Sequence, residues 1–365
     1  MEDTVLTFEH ETVPSQCFKA QIPSFYHPIN FGALESAPAL MKRRCREGKN
    51  IIVVDVNTRH IVPRLPVEGD IIEVPIGENA KSLSVASNIF AQLRDMQVSR
   101  RSSLIIGVGG GAICDLVGST SMLYMRGVRY GLIPTTLLGM ADAAIGSKVA
   151  LNGPNGTKNL LGGFYPPRFV HIDINLLETL EDRQYLSGFA EVVKVALLAE
   201  DQGIMFSNLE LNWHKIQCRD RQFVTKILQD AISIKMRLVV PDILERNLDR
   251  VLNLGHALGH AVEAASDYAL LHGEAVAIGL ARASRLGVER GLCSVDLANR
   301  IEALLIGFSL PTQIPGGCSP ERILDELQAV ALVRDGDLRV VIPIEPGRAC
   351  IIHDVKPHEL LGDNT

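Results

Sequence analysis

"SSLIIGVGGGAICD", residues 102–115, decides how this chain folds. Leu104, Ile105, Ile106 and Val108 make a short apolar run, the pattern of a strand covered on both faces. Gly109, Gly110 and Gly111 follow, and "ICDLVGSTSMLYM" (113–125) then reads as a helix. A strand running through glycines into a helix is the corner of a parallel α/β sheet. The glycines permit a tight turn and close approach of a ligand to the backbone. The helix behind them offers free N–H groups and the positive end of its dipole. The spacing is not GxGxxG, so a plain βα turn and a dinucleotide- or phosphate-binding turn both fit.

The neighbouring segments extend the pattern. "NIIVVDVNTR" (50–59) reads as a buried strand ending in a polar turn, "SLSVASNIFAQLRDM" (82–96) as an amphipathic helix, and "VRYGLIPTT" (128–136) as a strand ending at Pro134. "LNGPNGTKN" (151–159) is a loop by its Gly, Asn and Pro. After "FVHIDINLLETL" (169–180) helical periodicity dominates, in "GFAEVVKVALL", "FVTKILQDAISIKMRLVV", "VLNLGHALGHAVEAAS", "GEAVAIGLARASRLGVERG" and "PERILDELQAVAL". "DLRVVIPIEPGRACIIHDV" (337–355) reads as a small hairpin. The expectation is an α/β chain in two parts. An N-terminal parallel-sheet, Rossmann-like domain covers 1–178, and a mainly α-helical domain covers 179–365.

With 365 residues the chain is long enough for two domains and a large core. Hydrophobic residues at 47% against 21% charged describe a soluble globular chain, not a disordered one. A net charge of −6 with no basic stripe argues against a nucleic-acid partner. No apolar run approaches the roughly 20 residues of a membrane span. "MEDTVLTFEHET" lacks an apolar signal core, and the seven cysteines form no CxxC pair, so a reducing, cytoplasmic setting is expected.

The chemistry-bearing residues lie mostly in the second half. In "VLNLGHALGH" (251–260), His256 and His260 are one helical turn apart and share a face. His272 opens "HGEAVAIG", and Glu191 sits in the apolar "GFAEVVKVALL", where a buried carboxylate needs a partner. Imidazoles and a carboxylate make a three-ligand metal site with a position open for substrate. Singly, each histidine also fits a satisfied core position. Lys194, one turn after Glu191, fits an ordinary surface pair, and Lys148, Lys158, Lys235 and Arg126 each fit solvated charges. Together, "GSK" and "TKN" in the Gly/Asn-rich region suit a phosphate clamp.

These residues fall in a recognisable order. "GENAKSLS", "GGGAICDLVG", "YMRGV", "IPTTLLGMADAAIGSK", "TKNLLGGFYPP", "GFAEVVKVALL", "LNLGHALGH" and "HGEAVAIG" resemble the sugar phosphate cyclases, typified by 3-dehydroquinate synthase, over residues 50 to 340. The resemblance implies a bound NAD, a divalent metal (zinc or cobalt), a phosphorylated sugar substrate and a homodimer. By matching position it implies Glu191, His256 and His272 as metal ligands. It places NAD over Gly109, Gly110 and Gly111 with Asp115 nearby, and Asp55, Glu78 and Lys81 at the adenosine end. Thr135, Thr136 and Asp142 lie towards the nicotinamide end. Lys148, Lys158, Asn159, Lys194, Lys235, Asn253 and His260 match substrate- and phosphate-binding positions, Glu245 keeps the family identity, and Arg126 matches an arginine that reaches the neighbouring subunit's site. The implied reaction is cyclisation with phosphate elimination, NAD being recycled.

Two positions depart from the pattern. Dehydroquinate synthases carry arginine four residues before the asparagine of "LNLGH"; here that residue is Asp249, expected one helical turn before Asn253 on the same face. Arg250, one place off, is expected to face elsewhere on that helix. Their Asp-Lys-Lys segment corresponds to Val330, Ala331 and Leu332. Both changes remove cations associated with a substrate carboxylate. A substrate with a hydroxymethyl group, sedoheptulose 7-phosphate, suits Asp249 better, and the retained His260, Asn253 and Lys235 resemble the 5-epi-valiolone synthases. Dehydroquinate synthesis and 2-deoxy-scyllo-inosose synthesis stand as alternatives. A metal-dependent polyol dehydrogenase is the alternative of a different class.

Overall fold

The computed structural model of the chain describes residues 28–36, 48–154, 157–247, 249–267, 269–332 and 338–362, with two short strands, β1 (Phe8–Glu9) and β2 (Lys19–Ala20), that pair antiparallel. The N-terminal stretch read for a signal core otherwise lies outside the described residues. Among those described, no helix is long and apolar enough to cross a membrane.

A six-stranded, wholly parallel sheet organises the first half: β3 (Ile29–Phe31), β4 (Asn50–Val54), β5 (Asp70–Glu73), β6 (Leu104–Gly109), β7 (Arg129–Pro134) and β10 (Val170–Ile172), in the order β3-β10-β7-β6-β4-β5. The central strand β6 is buried at every position, which is why its sequence is an unbroken apolar run rather than an alternation. Helix α1 (Leu83–Asp95) is capped by Ser82, whose hydroxyl accepts from Val85 N at 3.3 Å, and it buries Ala86, Ile89 and Leu93. Helix α2 (Gly111–Leu123) returns over the sheet.

A short antiparallel hairpin, β8 (Lys148–Leu151) and β9 (Leu161–Phe164), brackets the Gly/Asn-rich loop and packs on α2. The fit is close: a Cβ on Gly118 of α2 would lie 2.2 Å from Val149 Cγ1. This hairpin is absent from the sequence reading, because its glycines and polar flanks mask a strand pattern.

The second half is helical, with α3 (Asp182–Ser187), α4 (Phe189–Leu197), α5 (Ile204–Gln217), α6 (Arg221–Val239), α7 (His256–Ala265), α8 (His272–Glu289), α9 (Val295–Gly307) and α10 (Pro320–Leu332). The expected C-terminal hairpin is present as β11 (Val340–Glu345) and β12 (Arg348–Ile352), with β11 against α8. The proposed division at 178/179 falls between β10 and α3. Glycines let α7 and α8 approach closely. A Cβ on Gly279 would lie 1.8 Å from Gly255 O, and one on Gly259 would lie 3.0 Å from Ala275 O.

One expectation fails here. The helical spacing read through residues 249–256 is not a helix. Val251–Asn253 is an isolated 3-10 turn, and Arg250 before it is extended (φ −124°, ψ 117°). Gly255 takes a left-handed conformation (φ +79°), and α7 starts only at His256. Asp249 and Asn253 therefore do not share a helical face.

Candidate active site

Helix α4 is buried at all nine positions, including Glu191 and Lys194, so it carries two charges through an apolar layer. Lys194 Nζ pairs with Glu191 Oε2. The pair is internal, not the surface pair that i,i+3 spacing also allowed. Beyond it, neither Glu191 oxygen has a well-formed hydrogen bond, yet both are shielded from solvent. His256 Nε2 and His272 Nε2 lie 3.4 and 3.5 Å from Glu191 Oε1. Burial opposes charge on Glu191, but Lys194 and the two imidazoles outweigh it and hold the carboxyl well below its ordinary value.

The first turn of α8 places His272. Glu274 accepts from Leu271 N at 2.8 Å and is gripped by Arg183 Nε and Nη2, each at 2.7 Å. Gly273 lets the turn press on α3, since a Cβ there would lie 1.8 Å from Ser187 O. Each residue of "HGE" thus has a separate task. His260, one turn along α7 from His256, completes the group. Its ring centroid lies 5.0 Å from that of His256 and 5.6 Å from that of His272. The coordinating nitrogens of the three histidines fall within 4.8 Å of one another.

The Nδ1 atoms are tied outward: that of His256 lies 3.1 Å from Leu254 O, and that of His272 lies 3.1 Å from Glu263 Oε2. This leaves both Nε2 atoms facing Glu191. A buried carboxylate paired on one oxygen with Lys194, its other oxygen facing imidazoles whose far nitrogens are held, is a donor set that fits a zinc-like divalent ion.

The glycine corner lies at the carboxyl ends of the strands. The chain runs from β4 outward to β5 and then crosses to β6 on the other side, so β4/β6 is the point where strand order reverses. Open α/β sheets bind ligands in the crevice at such a point. Gly110 caps α2 without any side-chain bond to the helix N–H groups, leaving them available. A Cβ on Gly110 or Gly111 would meet Thr136 Cγ2 at 3.1 Å or Ala143 Cβ at 3.3 Å. Thr135 follows β7 at the same edge, its N–H donating to Gly109 O at 2.9 Å. Asp55 follows β4, where its carboxylate accepts from Thr58 N at 3.0 Å.

A chain of charges joins the two halves. Buried Lys81 pairs with Asp115 at 2.7 Å, donates to Asn159 Oδ1 at 2.6 Å, and lies 3.9 Å from Glu78. Asn152 Nδ2 donates to Glu78 at 3.0 Å. Lys158 lies 3.8 Å from Glu78 and pairs with Glu263, which in turn holds His272. Asn159 adopts a left-handed backbone (φ +53°), which asparagine tolerates better than most residues.

On another side Lys235 donates to both the backbone oxygen and the carboxylate of Asp142, at 2.7 and 2.6 Å. Burial opposes ionisation of Asp142, and Lys235 more than offsets it, so the carboxyl lies below its usual value. Lys148 pairs with Glu245 at 3.0 Å, and Arg250 pairs with the other oxygen of Glu245. Arg250 therefore joins the group around Lys148, correcting the expectation that it faces elsewhere; without a helix, the helical face argument does not apply. Glu245 holds φ +51°, a strained value for glutamate, between two cations. Asn253 lies in the 3-10 turn leading into α7.

Asp249 faces different neighbours. Its carboxylate lies 3.2 Å from Arg339 Nε and 3.7 Å from His353 Nε2, groups that flank the C-terminal hairpin. Arg126 is exposed on the turn after α2, at the opposite end of that helix from the glycines, about 20 Å away at 1.5 Å per residue.

Sequence reasoning missed Glu263, Asn152 and Arg339. Glu263 had a signal: it stands three residues after His260 in an apolar helix, and the rule that flagged Glu191 applies to it equally.

A parallel sheet with its ligand crevice beside a buried carboxylate–histidine cluster defines an α/β protein with adjoining nucleotide-type and metal-type sites. Comparison with known proteins narrows this. Residues 71–187 match the 3-dehydroquinate synthase N-terminal model and residues 188–330 the C-terminal model. A 3-dehydroquinate synthase of Dehalococcoides mccartyi is 39% identical over 284 residues, 78% of each chain. A 2-epi-valiolone synthase of Stigmatella aurantiaca is also 39% identical, over 78% of this chain and 71% of that one. Among solved structures, the 2-epi-5-epi-valiolone synthase of Streptomyces hygroscopicus subsp. jinggangensis, with NAD+ and Zn2+ bound, superposes with a TM-score of 0.86 at 29% identity, covering 93% of this chain and 96% of that one. The chain belongs to the 3-dehydroquinate synthase family within the sugar phosphate cyclases.

Proposed function

We propose that this chain is an NAD- and divalent-metal-dependent sugar phosphate cyclase that converts sedoheptulose 7-phosphate into a valiolone-type cyclitol, 5-epi-valiolone, with loss of phosphate. The carrying observation is the convergence of Glu191, His256, His260 and His272 beside the lysines of α4 and α6, on a fold whose solved relative holds NAD+ and Zn2+.

Glu191, His256 and His272 would hold the metal, and the crevice at Gly109–Gly111 the dinucleotide pyrophosphate. When bound, the two groups supply reversible hydride transfer and polarisation of the adjacent hydroxyl and ketone oxygens. The chain's own residues do the rest. Lys148, Lys158 and Asn159, on or beside the β8–β9 hairpin, present cationic and amide donors to a phosphate. Lys194 and Lys235 sit buried beside carboxylates, where a sugar hydroxyl can join their hydrogen bonds. Arg126, exposed and remote from its own crevice, suits completion of a partner's site in a homodimer.

The substrate reading rests on Asp249 and on the end of α10. Ala331, at a position where dehydroquinate synthases carry lysine, packs partly buried against the core, as does Val330 before it. Arg339 and Arg250 are each engaged by a carboxylate of the chain, Asp249 and Glu245. A substrate carboxylate would have to compete with these anions, whereas a hydroxymethyl group need not. Overall identity does not separate the readings, since a dehydroquinate synthase and a valiolone synthase are equally similar.

The test presents sedoheptulose 7-phosphate, the keto acid precursor of dehydroquinate and glucose 6-phosphate in parallel, with phosphate release measured and products identified by NMR. Fastest turnover of sedoheptulose 7-phosphate is expected. Faster cyclisation of the keto acid would return the chain to dehydroquinate synthesis.

A further inference from the structure

The proposed reaction gives Glu263 no role, although it is nearly fully buried and sits at a junction. It lies on α7, two turns beyond His256, and points its carboxylate at the start of α8. One oxygen, Oε2, lies 3.1 Å from His272 Nδ1. The other, Oε1, pairs with Lys158 from the loop between β8 and β9. His272 presents its opposite nitrogen, Nε2, towards Glu191.

An imidazole can turn its ring and carry its proton on either nitrogen. A carboxylate fixed at Nδ1 removes both freedoms: it demands the proton at Nδ1 and leaves the Nε2 lone pair for a metal. His256 has a backbone carbonyl in this place, Leu254 O at 3.1 Å. Among the described residues no carbonyl takes this place at His272; the partner of its Nδ1 there is the side chain of Glu263. Lys158 in turn limits where that carboxylate can go.

We infer that Glu263 is a positioning residue for the metal centre: clamped by Lys158, it sets the tautomer and orientation of His272. The inference rests on the reading of Glu191, His256 and His272 as metal ligands.

The test is a double-mutant cycle on zinc affinity, read by competition with a chelator of known affinity and independent of turnover. Glu263→Gln preserves volume and should weaken zinc binding by about 10- to 100-fold. In a His272→Ala background the same substitution should change affinity by less than about twofold, because the group through which Glu263 acts is gone. Equal losses in both backgrounds would show a merely structural role and overturn the inference, as would unchanged affinity in Glu263→Gln alone. If the wild-type chain takes up no zinc, or His272→Ala binds it as tightly as wild type, the ligand reading fails and the inference with it. A second measurement needs no variant. Imidazole 15N shifts of the zinc-loaded wild type should show His272 protonated at Nδ1; a proton at Nε2 would overturn the inference.

Discussion

Each histidine of the cluster has a distinct expected behaviour on removal. His256→Ala and His272→Ala should release most of the bound divalent metal and abolish activity. His260→Ala should lose activity while keeping the metal, since the proposed ligands Glu191, His256 and His272 make a three-ligand set without it. Metal analysis of the three purified variants checks this; full occupancy in both the His256 and His272 variants contradicts the ligand assignment. Asp249 carries the substrate prediction. Wild type should prefer sedoheptulose 7-phosphate to the keto acid by at least about tenfold in kcat/KM, equivalent to roughly 1.4 kcal/mol. Asp249→Arg should erode that ratio, chiefly by weakening the favoured reaction. At this scale the sequence spoke unevenly. His256, His260, His272 and Glu191 were legible because apolar surroundings make polar residues conspicuous. The orientation of Asp249 and Arg250 was not, because one left-handed glycine, Gly255, ends the helical frame on which their faces were assigned. Arg339 is 90 residues from Asp249, and no local pattern joins them.

Between elements, glycines decide how closely the site-bearing helices meet. Gly279→Ala would put a methyl group 1.8 Å from Gly255 O, next to His256. Overpacking of this kind costs about 1–3 kcal/mol. Thermal unfolding should show that loss, and zinc affinity should fall as well, because relief requires α7 to move with its histidines. An unchanged melting point would mean the α7–α8 contact is looser than described. The strands β4, β6 and β7 were readable from their apolar runs, since a sheet covered on both faces admits little else. The β8–β9 hairpin was hidden: Gly162 and Gly163 lie in a strand whose partner begins at Lys148, and neither composition favours strand on its own.

For the whole molecule, the homodimer proposed above, with Arg126 on its exposed turn, predicts complementation between subunits. Arg126→Ala and Lys194→Ala should each be inactive alone. Co-expressed, they should recover about a quarter of wild-type activity, because half the dimers are hybrids and each hybrid has one intact site. No recovery would place Arg126 in its own chain's site. The plan of a sheet-bearing half followed by a helical half was legible because the two differ in periodicity; the bridge from Lys81 through Lys158 and Glu263 to His272 was not, since it is assembled from four separate segments and exists only in three dimensions.

The central claim is that the dinucleotide is recycled within each turnover, as a cyclase requires and a dehydrogenase does not. The direct measurement follows phosphate release and absorbance of reduced nicotinamide together, with zinc-loaded protein, sedoheptulose 7-phosphate in excess and NAD at the concentration of the enzyme. Many phosphates released per NAD, with no accumulating NADH, is the predicted result. Reduced nicotinamide rising one-for-one with substrate consumed, and no phosphate released, would contradict the account and identify a polyol dehydrogenase.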